Sequence, residues 1–215
     1  FIYKRNYISS MKIINYQSLV EYNTFKININ AELFVSIKSE EELFDILDKK
    51  SLKNKGKFIL GGGSNILFTK NLNGLVIHNQ IKGIEIDKET DSEIIIKVGA
   101  GESWDDIVKW ATERQLYGIE NLSLIPGYVG AAPIQNIGAY GVEFKDVMTE
   151  LKAINLQNKK IYYLNNQDCQ FGYRNSIFKK ELLGKVVITQ VKIKLSKIKE
   201  LTLSYKSLQK KTENL

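Results

Sequence analysis

Apolar positions along this chain fall mostly in short strand-like runs, with two stretches of helical spacing among them. After a polar lead over residues 1–22, Leu33 to Ile37 reads as a first strand. Ser39, with Glu42 three residues on, forms a capping box, and Leu43, Phe44, Ile46 and Leu47 lay an apolar stripe along the helix that follows. Lys57 to Leu60 is a short strand that runs directly into Gly61-Gly62-Gly63-Ser64-Asn65. Gly74 to His78, Ile81 to Ile86 and Ile94 to Val98 are further strands. A second helix starts at Ser103, capped with Asp106 at its third position, and turns Ile107, Val108, Trp110 and Ala111 inward. From Gly118 to Phe144 the pattern dissolves into a long glycine-rich segment, a length of loop that is rare inside a domain unless it is functional. Beyond it, Leu151 to Leu156 and Lys160 to Leu164 form a hairpin around Gln157-Asn158-Lys159. Lys185 to Leu195 is the last long strand. Strands mixed with two helices predict an α+β fold.

Composition narrows the reading. A 215-residue chain at 43% hydrophobic residues can bury a proper core. The formal charge of +7 invites a nucleic-acid partner, but the lysines are spread along the chain and no nucleic-acid motif accompanies them, so none is expected. A positive field still suits anionic nucleotides. The single cysteine, Cys169, cannot form an intrachain disulfide, and one His with one Cys cannot build a zinc site, so no metal is expected. No apolar run reaches membrane-spanning length and the N-terminus lacks a signal-peptide core, so the expectation is a cytoplasmic protein without a membrane partner, and a monomer. The chain opens with Phe1. Met11 is a candidate start, with residues 1–10 as read-through.

Three segments are candidates for chemistry. Gly61 to Asn65 ends a strand, where consecutive glycines let main-chain amides form a concavity for a pyrophosphate; a tight turn is the alternative. The spacing is not that of a G-x-G-x-x-G fingerprint, since Ile66 stands at the sixth position, and the Lys of a P-loop is missing, which disfavours a Rossmann domain. In the long loop, Gly127, Gly130, Ala131, Ala132, Gly138, Ala139 and Gly141 alternate with Gln135, Asn136 and Tyr140, a composition suited to a flat polar ring system or to a packed Ω-loop. Phe171-Gly172-Tyr173-Arg174 offers a guanidinium fork for a carboxylate or phosphate. His78, Cys169, Asp105 and Asp106 read as structural.

Taken together these segments resemble the UDP-N-acetylenolpyruvoylglucosamine reductase family. The matching stretches are NTF at Asn23 to Phe25, LGGGSNILF at Leu60 to Phe68, IKGIEI, VGAGESW, the run from Glu120 to Glu143, and FGYRNSIFK at Phe171 to Lys179. The resemblance implies a FAD-binding domain of the vanillyl-alcohol-oxidase / p-cresol-methylhydroxylase type, built from two small α+β subdomains. It would occupy residues 23–195, with lobes at about 23–98 and 99–195. Residues 1–22 would form a lead and 196–215 a linker or the start of a substrate domain, before which the chain stops. FAD would be bound by Gly61, Gly62, Gly63, Ser64, Asn65, Ile125, Pro126, Gly127, Gly130, Ala131, Ala132, Gln135, Asn136, Gly138 and Tyr173. NADPH would be the reductant, and the enolpyruvyl ether of a UDP-sugar the substrate. Arg174 would be catalytic, stabilising the enolate beside the substrate carboxylate, with Tyr140, Arg174 and Tyr205 in contact with substrate. The family's proton-donor Ser and late Glu have no counterpart in this chain. The competing readings are a flavin-binding module without turnover and another FAD-dependent oxidoreductase on the same scaffold.

Overall fold

Serine side chains open both helices. In the computed structural model, which describes residues 11–203, the Ser39 hydroxyl accepts from the Glu42 amide at 3.2 Å and starts α1 (Glu40–Asp48). Ser103 does the same for the Asp106 amide at 3.5 Å and starts α2 (Trp104–Glu113). These contacts satisfy amides that a helix start otherwise leaves unpaired. Only half of the expected capping box forms at Ser39, because the Glu42 carboxylate takes the Lys38 amide at 2.7 Å instead. α2 buries Trp104, Ile107, Val108 and Ala111. Trp110, expected inward, is half-buried with the Arg114 guanidinium over its ring at 4.5 Å.

The strands are β1 (Ile14–Ser18), β2 (Asn30–Ile37), β3 (Lys57–Leu60), β4 (Leu72–Asn79), β5 (Ile84–Glu89), β6 (Glu93–Gly99), β7 (Gly138–Ala139), β8 (Val142–Glu143), β9 (Met148–Asn155), β10 (Ile161–Asn165) and β11 (Val186–Ser196). The first four form a sheet in the order β1-β2-β4-β3. There β1 is antiparallel to β2, and β4 runs parallel to both of its neighbours. A parallel arrangement needs a crossover, and α1 lies in the connection from β2 to β3. The second sheet is antiparallel throughout, in the order β10-β9-β11-β6-β5.

Two boundaries differ from the sequence reading. The N-terminal lead is not outside the fold, since β1 within it pairs with β2 from Ile14↔Phe34 to Ser18↔Asn30. The sheets also change over between Asn79 and Ile84 rather than at residues 98 and 99. The cause is packing: Ile94, Ile96 and Val98 of β6 share a core with Leu151, Val191 and Ile193 of the second sheet and with α2. The expected strand at Ile81 begins later, at Ile84. The Ile81 amide is held by Asn79 Oδ1 at 3.1 Å instead of by a ladder partner.

The two sheets are joined by a common core in which Val35, Ile37, Leu43, Ile46, Leu75 and Ile77 meet Ile154, Leu156 and Val187. Polar ties reinforce the join. Asn79 Nδ2 donates to the Ile188 carbonyl at 2.9 Å, and the Thr189 hydroxyl donates to Glu40 Oε1 at 2.6 Å. Among the described residues, no helix is long and apolar enough to cross a membrane.

Candidate functional site

Gly61 to Asn65 leaves the end of β3 and leans on the turn that follows β1. Gly63 has φ +65°, and a Cβ there would sit 2.0 Å from the Tyr22 carbonyl oxygen. Only glycine allows that approach. The Thr24 amide donates to the Gly63 carbonyl at 3.2 Å, and the buried Asn23 braces the turn through Leu19 O, Ile27 O and the Ile27 amide. Among the described residues nothing accepts from the amides of Gly62, Gly63, Ser64 and Asn65. A run of adjacent unpaired amides suits an anion.

The long loop forms the facing wall, and it is not structureless. It holds 3₁₀ turns at Glu120–Leu122 and Val129–Ile134 and the small β7–β8 hairpin. Backbone bonds fasten it to the β6–α2 connection: Trp104 N to Gly127 O, Val129 N to Glu102 O and Gly130 N to Ala100 O, each at 2.9 Å. A Cβ on Gly130 would lie 2.6 Å from the Ala100 Cβ, so the segment rests directly on that connection. The Trp104 indole donates to the Leu122 carbonyl at 3.0 Å.

The two glycine-rich segments touch. Ser64 Oγ donates to the Pro126 carbonyl at 3.1 Å, and Asn65 Nδ2 donates to Gln135 Oε1 at 2.6 Å. Between them lies a cavity of about 320 Å³ lined by Gly61 to Asn65, Pro126, Gly127, Ala131, Ala132 and Gln135, with Lys179 on its wall. A second, more apolar cavity of about 320 Å³ continues between the sheets toward Phe58, Phe178 and Val187, and includes Gly130. Tyr128, Gly61 and Ala131 line both, so the two form one cleft with an amide-rich chamber and an apolar chamber. Each chamber is of ligand size.

Four residues nominated for the cofactor do not line either chamber. Ile125 packs against the core of the second sheet. The Asn136 side chain is fully buried and committed, donating to Gly172 O at 3.1 Å and accepting from the Lys145 amide at 3.0 Å. It therefore ties the long loop to the turn that carries Arg174. Gly138 lies beneath that arginine, and Tyr173 is 86% exposed beside it. The Arg174 guanidinium donates through Nη2 to Gly138 O at 2.6 Å and through Nη1 to Asn136 O at 3.5 Å, while Lys179 Nζ donates to the Arg174 carbonyl at 2.9 Å. Tyr140 stands at the β7–β8 tip with its backbone carbonyl accepting from Asn121 Nδ2 at 3.0 Å. Tyr205 lies outside the described residues.

Sequence reading passed over Tyr128 and the residues behind it. The Tyr128 ring lies against Gly61 and Gly62, 3.7 and 3.3 Å from where their Cβ atoms would be. Its hydroxyl accepts from Gln80 Nε2 at 3.1 Å. Gln80 in turn meets His78, whose pKa burial pushes down to about 4. The one available signal was the aromatic between Gly127 and Val129 in an otherwise small-residue loop. Cys169 is buried, and desolvation with the nearby Asp168 charge pushes its thiol up to about 12, which leaves it unreactive.

A family described as FAD binding domain matches residues 31–162. The UDP-N-acetylenolpyruvoylglucosamine reductase of Flavobacterium johnsoniae is 49% identical over 187 residues, covering 87% of this chain and 55% of that protein. The chain thus spans a little over half the length of this curated relative. Among solved structures, the UDP-N-acetylenolpyruvylglucosamine reductase of Thermus caldophilus superposes with a TM-score of 0.68 at 22% identity, over 94% of this chain and 66% of that one. A solvent-stable cholesterol oxidase superposes with a TM-score of 0.59 at 10% identity, over 89% and 39% respectively. At these identities the structural likenesses speak to fold.

Proposed function

We infer from the chain's membership of the FAD binding domain family that FAD is its cofactor, held on an α+β fold of the vanillyl-alcohol-oxidase type. On that premise we propose that it supplies the flavin site and a substrate-gripping arginine for reduction of UDP-N-acetylglucosamine enolpyruvate to UDP-N-acetylmuramate, with NADPH as reductant. The observation that carries this reading is the meeting of the two glycine-rich segments over one cleft, whose first chamber is lined by four residues with amides that find no acceptor among the described residues. The fit to FAD is physical. Gly62 to Asn65 would hold the pyrophosphate through N–H donors, and the cleft beyond Tyr128 offers apolar walls for a flat ring. When bound, FAD supplies two-electron chemistry, accepting reducing equivalents from NADPH and delivering them to the vinyl ether.

The remaining chemistry falls to side chains. Reduction of an enolpyruvyl ether builds negative charge on the oxygens of its carboxylate, and that charge needs fixed donors where it appears. Arg174 fits the role. Gly138 O and Asn136 O take N–H groups on one side of the guanidinium, which sets its plane and leaves its other donors for a carboxylate. Its backbone φ of 52° and the hydrogen-bonded turn from Gly172 to Asn175 hold it in place. The assay is spectroscopic. Purified chain should be yellow and release FAD on denaturation; colourless protein that takes up no added FAD refutes the cofactor site. Adding the enolpyruvyl UDP-sugar should shift the flavin spectrum of the wild type, and Arg174→Ala should weaken the affinity behind that response roughly ten- to 100-fold while retaining FAD, in line with the ~1.5–3 kcal/mol of a hydrogen bond to a charged group. A wild type indifferent to the sugar nucleotide, or an Arg174→Ala chain that responds equally, rejects the substrate assignment.

A further inference from the structure

Tyr128 stands between the two chambers of the cleft, and its hydroxyl ends a polar chain that starts inside the first sheet. Ser36 Oγ lies 3.2 Å from His78 Nδ1, and Gln80 Nε2 lies 3.0 Å from His78 Nε2 and 3.1 Å from Tyr128 Oη. An amide nitrogen has two hydrogens and no acceptor capacity. Facing Gln80 Nε2, His78 Nε2 must accept, and the ring proton then sits on Nδ1 and is donated to Ser36. Desolvation keeps the imidazole neutral, as this pattern requires, with its pKa near 4. Tyr22 and Phe34 pack against the same ring, at centroid distances of 5.1 and 5.9 Å. At the far end, Tyr128 Oη must also accept from Gln80. Its own hydrogen is thereby left over, and among the described residues nothing takes it.

We infer that Tyr128 is a cofactor-contacting residue whose hydroxyl donates a hydrogen bond into the cleft, to an acceptor atom of the bound dinucleotide. Gln80, His78 and Ser36 are positioning residues that fix the direction of that donor. The inference rests on the assignment of the cleft to FAD. Gln80 is the branch point: its amide donates outward to both His78 Nε2 and Tyr128 Oη, so each must accept, and Tyr128 is one of the residues that line both chambers.

The test is a titration of FAD into the apo chain, comparing wild type, Tyr128→Phe, Gln80→Met, Gln80→Glu and the double variant Tyr128→Phe/Gln80→Met. Tyr128→Phe keeps the ring and should bind FAD three- to tenfold more weakly, the equivalent of one net hydrogen bond. Gln80→Met should lose part of that, and the double variant should be no weaker than Tyr128→Phe alone, because both changes break the same line. Gln80→Glu turns the phenol proton toward its own carboxylate and should weaken FAD binding at least as much as Tyr128→Phe. Tyr128→Phe binding FAD as tightly as wild type, or losses in the double variant that simply multiply, overturns the inference while leaving the cofactor site intact. A wild-type chain that takes up no FAD overturns the cofactor site itself and this inference with it.

Discussion

Replacing Gly63 by alanine probes the glycine loop directly. Two costs apply. A residue with a Cβ at φ +65° pays about 1–2 kcal/mol for the left-handed conformation. The new carbon would also sit 2.0 Å from the Tyr22 carbonyl oxygen, whereas real Cβ atoms essentially never come under 3.0 Å. Loop and turn must therefore part by roughly 1 Å, a displacement of the kind that costs about 1–3 kcal/mol in a packed region. The turn has little room to yield, because Asn23 binds it at three points. A total near 3 kcal/mol should lower the midpoint of thermal unfolding by roughly 6–12 °C for a chain of this size. The same shift displaces the amides of Gly62 to Asn65, so FAD affinity should fall at least about tenfold. Gly184→Ala is the matched control, with φ +67° and nothing within 4 Å of the added carbon, and should cost only the left-handed term of about 1–2 kcal/mol. Unfolding followed by circular dichroism, with FAD titration on both variants, separates the terms. If Gly63→Ala melts with Gly184→Ala and binds FAD like the wild type, the close approach to Tyr22 does not shape the loop.

Two further outcomes are expected. His78 has a folded-state pKa of about 4 against an ordinary 6.5, so the unfolded chain binds a proton more readily than the fold does. Stability should therefore be complete above about pH 6.5, fall as pH drops toward 4, and lose on the order of 3 kcal/mol from this group. His78→Gln should remove that component of the slope in urea unfolding at graded pH, and an unchanged slope would reject the assignment. Asn136→Ala leaves Gly172 O and the Lys145 amide without their partner and should cost about 2–4 kcal/mol in urea unfolding. A loss below about 1 kcal/mol would mean that Asn136 does not tie the Arg174 turn to the loop.

What could be read in the residues was local or repetitive. Ser39 and Ser103 announce their helices because a cap is settled within three residues, and β11 is visible as a long β-branched run. β1 escaped notice because Asn15 and Tyr16 are exposed and its face toward the protein is only half-buried, so no alternation marks it. The sheet boundary was misplaced because nothing in β5 or β6 states which core their apolar side will join; β11, about ninety residues on, decides it. At the site, glycine clustering pointed to both walls, yet a glycine does not say whether it faces a ligand or another turn. Gly63 faces Tyr22, and Gly138 underlies Arg174. Asn136 looked like a ligand donor and is instead a brace. Tyr128 and Gln80 went unseen because their partnership spans 48 positions.

The three backbone bonds that fasten Gly127, Val129 and Gly130 to the β6–α2 connection have a consequence for how a guest molecule is received. A loop of this composition, left to itself, would sample many shapes, and an arriving dinucleotide would have to freeze it at a cost of about 1–2 kcal/mol for each residue ordered. Here that entropy is surrendered during folding. The mould is cast before anything fills it, so association need only fit a ligand to a surface whose contours already exist.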